Sequence, residues 1–128
     1  MTRLNTNTGI DIKNGKIVYT RENKLISAIL EFLKAVNIKA WRNNTTGWYD
    51  VKTGVWKKFA FSEPGASDIL GYMNDGKIFA CECKTVRDKA SKEQIEFIDG
   101  INASSGIGLF ARSVDDVLEK LREKEYLG

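Results

Sequence analysis

The stretch from Gly65 to Lys84 constrains this chain more than any other. It reads Gly65-Ala66-Ser67-Asp68-Ile69-Leu70, then Asn74-Asp75-Gly76, then Lys77-Ile78-Phe79-Ala80-Cys81-Glu82-Cys83-Lys84. Asp75-Gly76 is a two-residue hairpin signal between runs rich in β-branched and aromatic residues, which predicts that 68–73 and 77–84 pair antiparallel. Side chains alternate along a strand, so Glu82 and Lys84 share a face with Ile78 and Ala80. Charges that end an otherwise apolar strand face cost free energy unless they are paired or bind an ion.

An acid that begins one strand and a Glu-x-Lys that ends the next bring together the side chains of Asp68, Glu82 and Lys84. Two carboxylates and an ammonium so placed can hold a hard divalent cation and hydrogen-bond a water beside it, the apparatus of metal-assisted phosphodiester hydrolysis. The competing description is a surface ion pair between Glu82 and Lys84 with Asp68 as a turn residue, and a short pattern alone does not exclude it.

Composition narrows the chemistry. The chain has no histidine, which excludes any mechanism that needs an imidazole base, so a hydrolase built from it must use carboxylates, lysine and metal. Its two cysteines, Cys81 and Cys83, flank Glu82 and point to the opposite strand face, where buried thiols act as small hydrophobes. They are two ligands short of a structural zinc site. At 128 residues with 42% hydrophobic and 29% charged residues, the chain suits one soluble domain with one core. No apolar run approaches membrane-spanning length and the N-terminus lacks a signal-peptide core, so a cytoplasmic protein with no membrane partner is expected. A net charge of +3 permits an anionic partner without demanding one.

Around the central hairpin the remaining elements follow from periodicity. Residues 1 to 8 are polar and read as loose, and Ile10, Ile12, Asn14-Gly15, Ile17 and Tyr19 predict a small hairpin. Alone it is marginal, so it must pack on the domain or on a partner chain. Thr20 is the expected N-cap of a helix from Arg21 to about Val36, with Leu25, Ile29, Leu33 and Val36 as its stripe. Glu22 begins that stripe, and the position equally suits an acid that complements the helix dipole. Ile38 to Trp41 reads as a strand ending in Arg42-Asn43-Asn44.

The long connection from Thr45 to Pro64 carries Trp48, Tyr49, Trp56, Lys52, Lys57 and Lys58 around a Thr53-Gly54 turn. Aromatic and basic residues interleaved can grip a nucleic-acid backbone and stack on exposed bases, and they can equally form a second hairpin with a small core around Trp48 and Trp56. After a basic loop from Thr85 to Lys89, Ser91-Lys92-Glu93-Gln94 has capping-box spacing before a helix carrying Ile95, Ile98 and Ile101. Gly106 to Ala111 is a short apolar strand, and Ser113 opens a last helix with Val117, Leu118 and Leu121 inward. This order describes a mixed α/β layer structure.

In that frame the Asp68 and Glu82-x-Lys84 pattern resembles the PD-(D/E)xK nuclease superfamily. More closely, the chain is similar to the VRR-NUC family, especially its short stand-alone members typical of phages. The matching pieces are Glu22 at the first helix, Trp41-Arg42-Asn43 with Gly47, and Gly65 to Leu70. Glu82-Cys83-Lys84-Thr85, Ser91 to Gln94, and Ala111-Arg112-Ser113 complete the set. They run in the family's order from Glu22 to about Val117. Ala66-Ser67 stands before Asp68 in place of the family's Val-Ser or Val-Pro, and the N-terminal hairpin is covered by nothing in the family.

The resemblance implies an α/β fold with a PD-(D/E)xK restriction-endonuclease-like core, a mixed β-sheet flanked by helices and an extra N-terminal β-hairpin, in one nuclease domain spanning 1–128. It implies that Asp68 and Glu82 bind Mg2+ or Mn2+ with the Cys83 backbone carbonyl as a further ligand. Lys84 would stand beside the attacking water, Glu22 would reach the metal through water, and Gln94 would be the glutamine behind the site. The expected activity is a metal-dependent endonuclease on DNA, selective for branched substrates such as four-way junctions and working as a homodimer. Arg42, Lys52, Lys57, Lys58, Arg87 and Lys89 are the candidate phosphate-binding cations. The alternative is a catalytically inactive DNA-binding module on the same frame.

Overall fold

The computed structural model describes residues 8–43, 48–57 and 63–128. Gly47, Lys58 and the Trp48 side chain, all singled out above, lie outside that description. The fold is mixed α/β. In chain order it runs β1 (Ile10–Lys13), β2 (Lys16–Tyr19), α1 (Glu22–Ala35), β3 (Lys39–Arg42), β4 (Trp48–Asp50), β5 (Val55–Lys57), β6 (Ile69–Tyr72), β7 (Ile78–Cys83), α2 (Lys92–Ala103), β8 (Ile107–Ala111) and α3 (Val114–Glu123). The central sheet has the order β3-β6-β7-β8, with β1-β2 and β4-β5 as separate two-stranded sheets. β3-β6 and β6-β7 are antiparallel, whereas β7-β8 is parallel, because α2 carries the chain back between them.

Burial assigns the two sheet faces. Leu25, Ile26, Ile29 and Leu33 of α1 and Val117 and Leu121 of α3 form one cluster with Ile69, Phe79, Cys81, Cys83, Ile107, Leu109 and Ala111 of the strands. Each fully buried aliphatic there contributes about 1.5–3 kcal/mol against the entropy of ordering it. α2 covers the other face over β7 and β8 and buries Ile98, while Ile95 is exposed. Among the described residues no helix is long and apolar enough to cross a membrane.

One local expectation is corrected. The N-cap of α1 is Arg21, not Thr20, and its side chain makes no capping bond. The central hairpin keeps the expected bounds, with Asn74-Asp75-Gly76 as a three-residue turn between its strands. Gly76 N–H donates to the Met73 carbonyl at 2.9 Å and Met73 N–H to the Lys77 carbonyl at 2.8 Å, so Asn74-Asp75-Gly76 lies between the closing pair. Gly76 has φ 88°, the left-handed residue that a turn followed by a bulge requires. On the β4-β5 hairpin the Tyr49 ring packs on Trp56, with centroids 5.6 Å apart. The first hairpin is anchored by buried Tyr19 and leaves Ile12 and Ile17 exposed.

Gly65 shows how the loop before Asp68 is placed. It has φ 74°, and a Cβ there would collide with the Glu93 carbonyl at the start of α2. Gly65→Ala should therefore cost roughly 2–5 kcal/mol, backbone strain added to overlap. At Gly76 a Cβ would meet nothing within 4 Å, so Gly76→Ala should cost only about 1–2 kcal/mol of strain. Urea unfolding of the two variants checks the difference.

Candidate functional site

The register builds the site. Ile69 pairs with Cys81, so one step outward Asp68 stands opposite Glu82 on the face that α2 covers. Asp68 Oδ2 accepts a hydrogen bond from Cys83 N–H at 3.0 Å. A residue's N–H and C=O project to the same side of an extended strand, so the Cys83 carbonyl also faces the Asp68 side. Asn43 holds the loop from behind, its N–H donating to the Asp68 carbonyl at 2.7 Å and its Nδ2 to the Ser67 carbonyl at 3.3 Å.

Gln94 ties α2 to the end of β7. Its Oε1 accepts from Lys84 Nζ at 2.7 Å and from Ser91 N–H at 2.9 Å, and its Nε2 donates to Glu82 Oε1 at 3.0 Å. Ser91 Oγ in turn accepts from Gln94 N–H at 3.2 Å, which completes the capping box. The structural role expected of Gln94 and its place behind the charged pair are thus one arrangement. Glu82 and Lys84 are only 3% and 9% exposed and Lys84 bonds to Gln94, so the surface ion pair is excluded.

The electrostatics at this strand end are unbalanced. Glu82 Oε2 is buried with no hydrogen-bond donor, and the group beside it is the Asp68 carboxylate, another acceptor. Burial first, then the contact with Asp68, pushes the Glu82 carboxyl up to about 8, against the opposing pull of Lys84. Glu22, at the first turn of α1, keeps solvent contact as a residue while its carboxyl turns inward to Asp68. Burial and Asp68 together push it up to about 7. The Cys83 thiol is driven far up by its contact with Cys81 and by burial, which fits a packing role for both cysteines.

Two acceptors facing each other in a buried site need a proton or a cation between them, and an all-oxygen pair suits a hard divalent ion. Asp68, Glu82 and the Cys83 carbonyl fit such an ion as donors, with Glu22 at the edge. Among the described residues no three histidine, cysteine or acidic side chains are grouped so as to enclose a metal by themselves. Carboxylates here would supply two ligands, and the backbone, water or substrate the rest.

The basic residues divide. Arg42 ends β3 next to Asn43, and Arg87, Lys89 and Lys52 are exposed on loops. Lys57 is bound to Asp50 at 2.8 Å, so any phosphate must compete with that ion pair. Sequence reasoning gave no role to the bonds that hold the 85–89 loop. Thr85 N–H and Oγ1 donate to Asp88 Oδ2 at 3.0 and 2.6 Å, and the Arg112 guanidinium donates to the carbonyls of Thr85 and Asp88. Arg112 lies in Ala111-Arg112-Ser113 after β8, but no periodicity announces a reach of 27 residues back along the chain. No family model, curated protein or solved structure matches the chain.

The raised carboxyls have a thermodynamic consequence. Glu22 and Glu82 bind protons more tightly folded than unfolded, so the folded state holds the extra protons from the ordinary value of 4.5 up to about 7 and 8. Stability of the metal-free protein should therefore fall as pH rises through that window and recover as pH is lowered to about 5. Asp88, held low by Thr85, acts in the opposite sense at more acid pH. Thermal melting between pH 5 and about 8.5 should show this slope, and Glu82→Gln should flatten it.

Proposed function

We propose that the protein is a divalent-metal-dependent endonuclease that hydrolyses DNA phosphodiesters on a PD-(D/E)xK core of VRR-NUC type. The observation that supports this best is the buried Glu82 Oε2 without a donor, opposite Asp68 and beside an ammonium held by Gln94. Such a site is costly to keep in the absence of a ligand.

Bound there, Mg2+ or Mn2+ would supply Lewis acidity to the scissile phosphate and lower the pKa of the attacking water. Asp68 and Glu82 orient that donor set, with Cys83 N–H fixing one carboxylate and Gln94 Nε2 the other. Lys84 Nζ, steered by Gln94 Oε1, hydrogen-bonds the nucleophile and offsets negative charge that develops on the phosphate. Glu22 orders solvent at the edge of the site through its contact with Asp68. Arg42, Arg87 and Lys89, with Lys52 on the hairpin, grip flanking phosphates, and Arg112 keeps the 85–89 loop in position to do so.

The substrate proposed is branched DNA such as a four-way junction, cut by a symmetric homodimer that brings one site to each of two strands. Exposed Ile12 and Ile17 on the first hairpin are the proposed contact between copies. Light scattering at micromolar concentration, with and without a junction, checks this assembly, and a monomer under both conditions refutes it.

Incubation with branched and linear DNA in Mg2+, Mn2+ or EDTA tests the activity. Glu82→Ala, Asp68→Asn and Lys84→Ala should each abolish cleavage while the circular dichroism spectrum is retained. Turnover surviving in Lys84→Ala or Glu82→Ala, or after thorough chelation, refutes the mechanism. Binding without cleavage by the wild type would point instead to an inactive DNA-binding module. Substituting Lys57 and Lys58 together should lower the salt slope of binding by about 1 per lost phosphate contact.

A further inference from the structure

Among the described residues, the face of the sheet that carries Asp68 and Glu82 is only half covered. α2 lies over β7 and β8, whereas over β3 and β6 the same face leaves Trp41 44% and Tyr72 52% exposed. Their rings meet edge to face, with centroids 6.4 Å apart at 60°. Single exposed aromatics are common and need no explanation. Two in contact, in register with a buried charged site, are a different matter.

Trp41 pairs with Leu70 and Lys39 with Tyr72, and Asp68 is two residues before Leu70, so all five residues share this face. One strand spacing across and two residues along place the Cα of Trp41 roughly 8–9 Å from that of Asp68. That span is two to three steps of a stacked strand at about 3.4 Å each. Exposed Lys39 stands two residues from Trp41 on the same face, whereas exposed Arg42, paired with Ile69, ends β3 on the opposite face. A cation on an open aromatic face beside a phosphate-cleaving centre is what a single strand asks for, charge for the backbone and a ring for the base.

Resting on the nuclease reading, the geometry points to Trp41, backed by Tyr72, as the platform on which an unpaired base about two to three nucleotides from the scissile phosphate stacks. A base inside a continuous duplex has both faces covered by its neighbours and cannot use the ring. The substrate class is accordingly DNA whose nucleotides are unpaired or splayed at the cut, as at a branch point, a flap or a single-strand gap. Intact duplex would be held by phosphate contacts alone.

Binding in EDTA separates this claim from catalysis. Two oligonucleotide substrates of equal length are compared by fluorescence anisotropy, one fully duplex and one with a single-stranded gap. Trp41→Ala should weaken the gapped substrate about 5-fold to 100-fold and leave the duplex within about 2-fold, with Trp41→Phe restoring most of the loss. In a second measurement on the wild-type protein, 2-aminopurine is placed in turn at each gap position, and its fluorescence should be quenched at one or two adjacent positions only. An equal loss on both substrates, no loss on either, or no quenching at any position overturns the platform, even if the wild type cleaves. An equal loss accompanied by a change from dimer to monomer on Trp41→Ala assigns the face to a second copy and likewise overturns it. If Trp41→Ala fails to fold, Tyr72→Ala and the quenching series decide. Selective binding and quenching in a protein that never cleaves with Mg2+ or Mn2+ would retain the platform and remove the nuclease reading.

Discussion

The side chain of Gln94 is the joint on which the site depends. A single amide accepts from Lys84 and from the Ser91 backbone and donates to Glu82, so the helix cap and the two buried charged groups are set by one rotamer. The cap fixes where α2 begins, and α2 buries Ile98 against the strand that carries Glu82 and Lys84. Register, cap and charge placement therefore rise or fall together. Loss of this amide would leave a buried ammonium and a buried carboxylate each short of a partner, the kind of change that costs far more than one exposed hydrogen bond.

Much of this was legible because the signals were local. Asn14-Gly15, the apolar spacing of α1, the box from Ser91 to Gln94 and the alternation of β7 each reside within one turn or one strand, where period and turn chemistry act directly. The opposition of Asp68 and Glu82 also followed, since a hairpin fixes its own register. The misses share a different origin. The buried Gly9 accepts the backbone bond of Thr20 that replaces an expected cap. Asp50 claims Lys57 across a hairpin. Each of these was decided by where another element came to rest, which no window of sequence contains.

The same distinction separates what Glu22 could be from what it is. Its spacing suited both a dipole-complementing acid and the start of a buried stripe, and the structure combines them, an exposed first-turn residue with its carboxyl turned toward Asp68. Arg112 is the converse case. Its guanidinium spans from the end of β8 to the loop after β7, so a residue remote in sequence sets the position of Arg87 and Lys89.

Why the charges tolerate one another without a ligand follows from the helix ends. α1 begins at Glu22 and α2 at Lys92, and both starts adjoin the end of β7, one through the Glu22 contact with Asp68 and the other through the Gln94 contact with Glu82. Helix N-termini present unpaired N–H groups and partial positive charge, which favours anions there by about 0.3–1 kcal/mol each. Lys84 adds a full charge from inside. Together these offset part of the repulsion among Glu22, Asp68 and Glu82, while burial first and the contact with Asp68 second leave two carboxyls that hold their protons to near-neutral pH. A site so poised sits between two states, protonated and ligand-free or ionised around a cation. The same field that tolerates three carboxylates would also draw a phosphate to their edge once a cation had neutralised them.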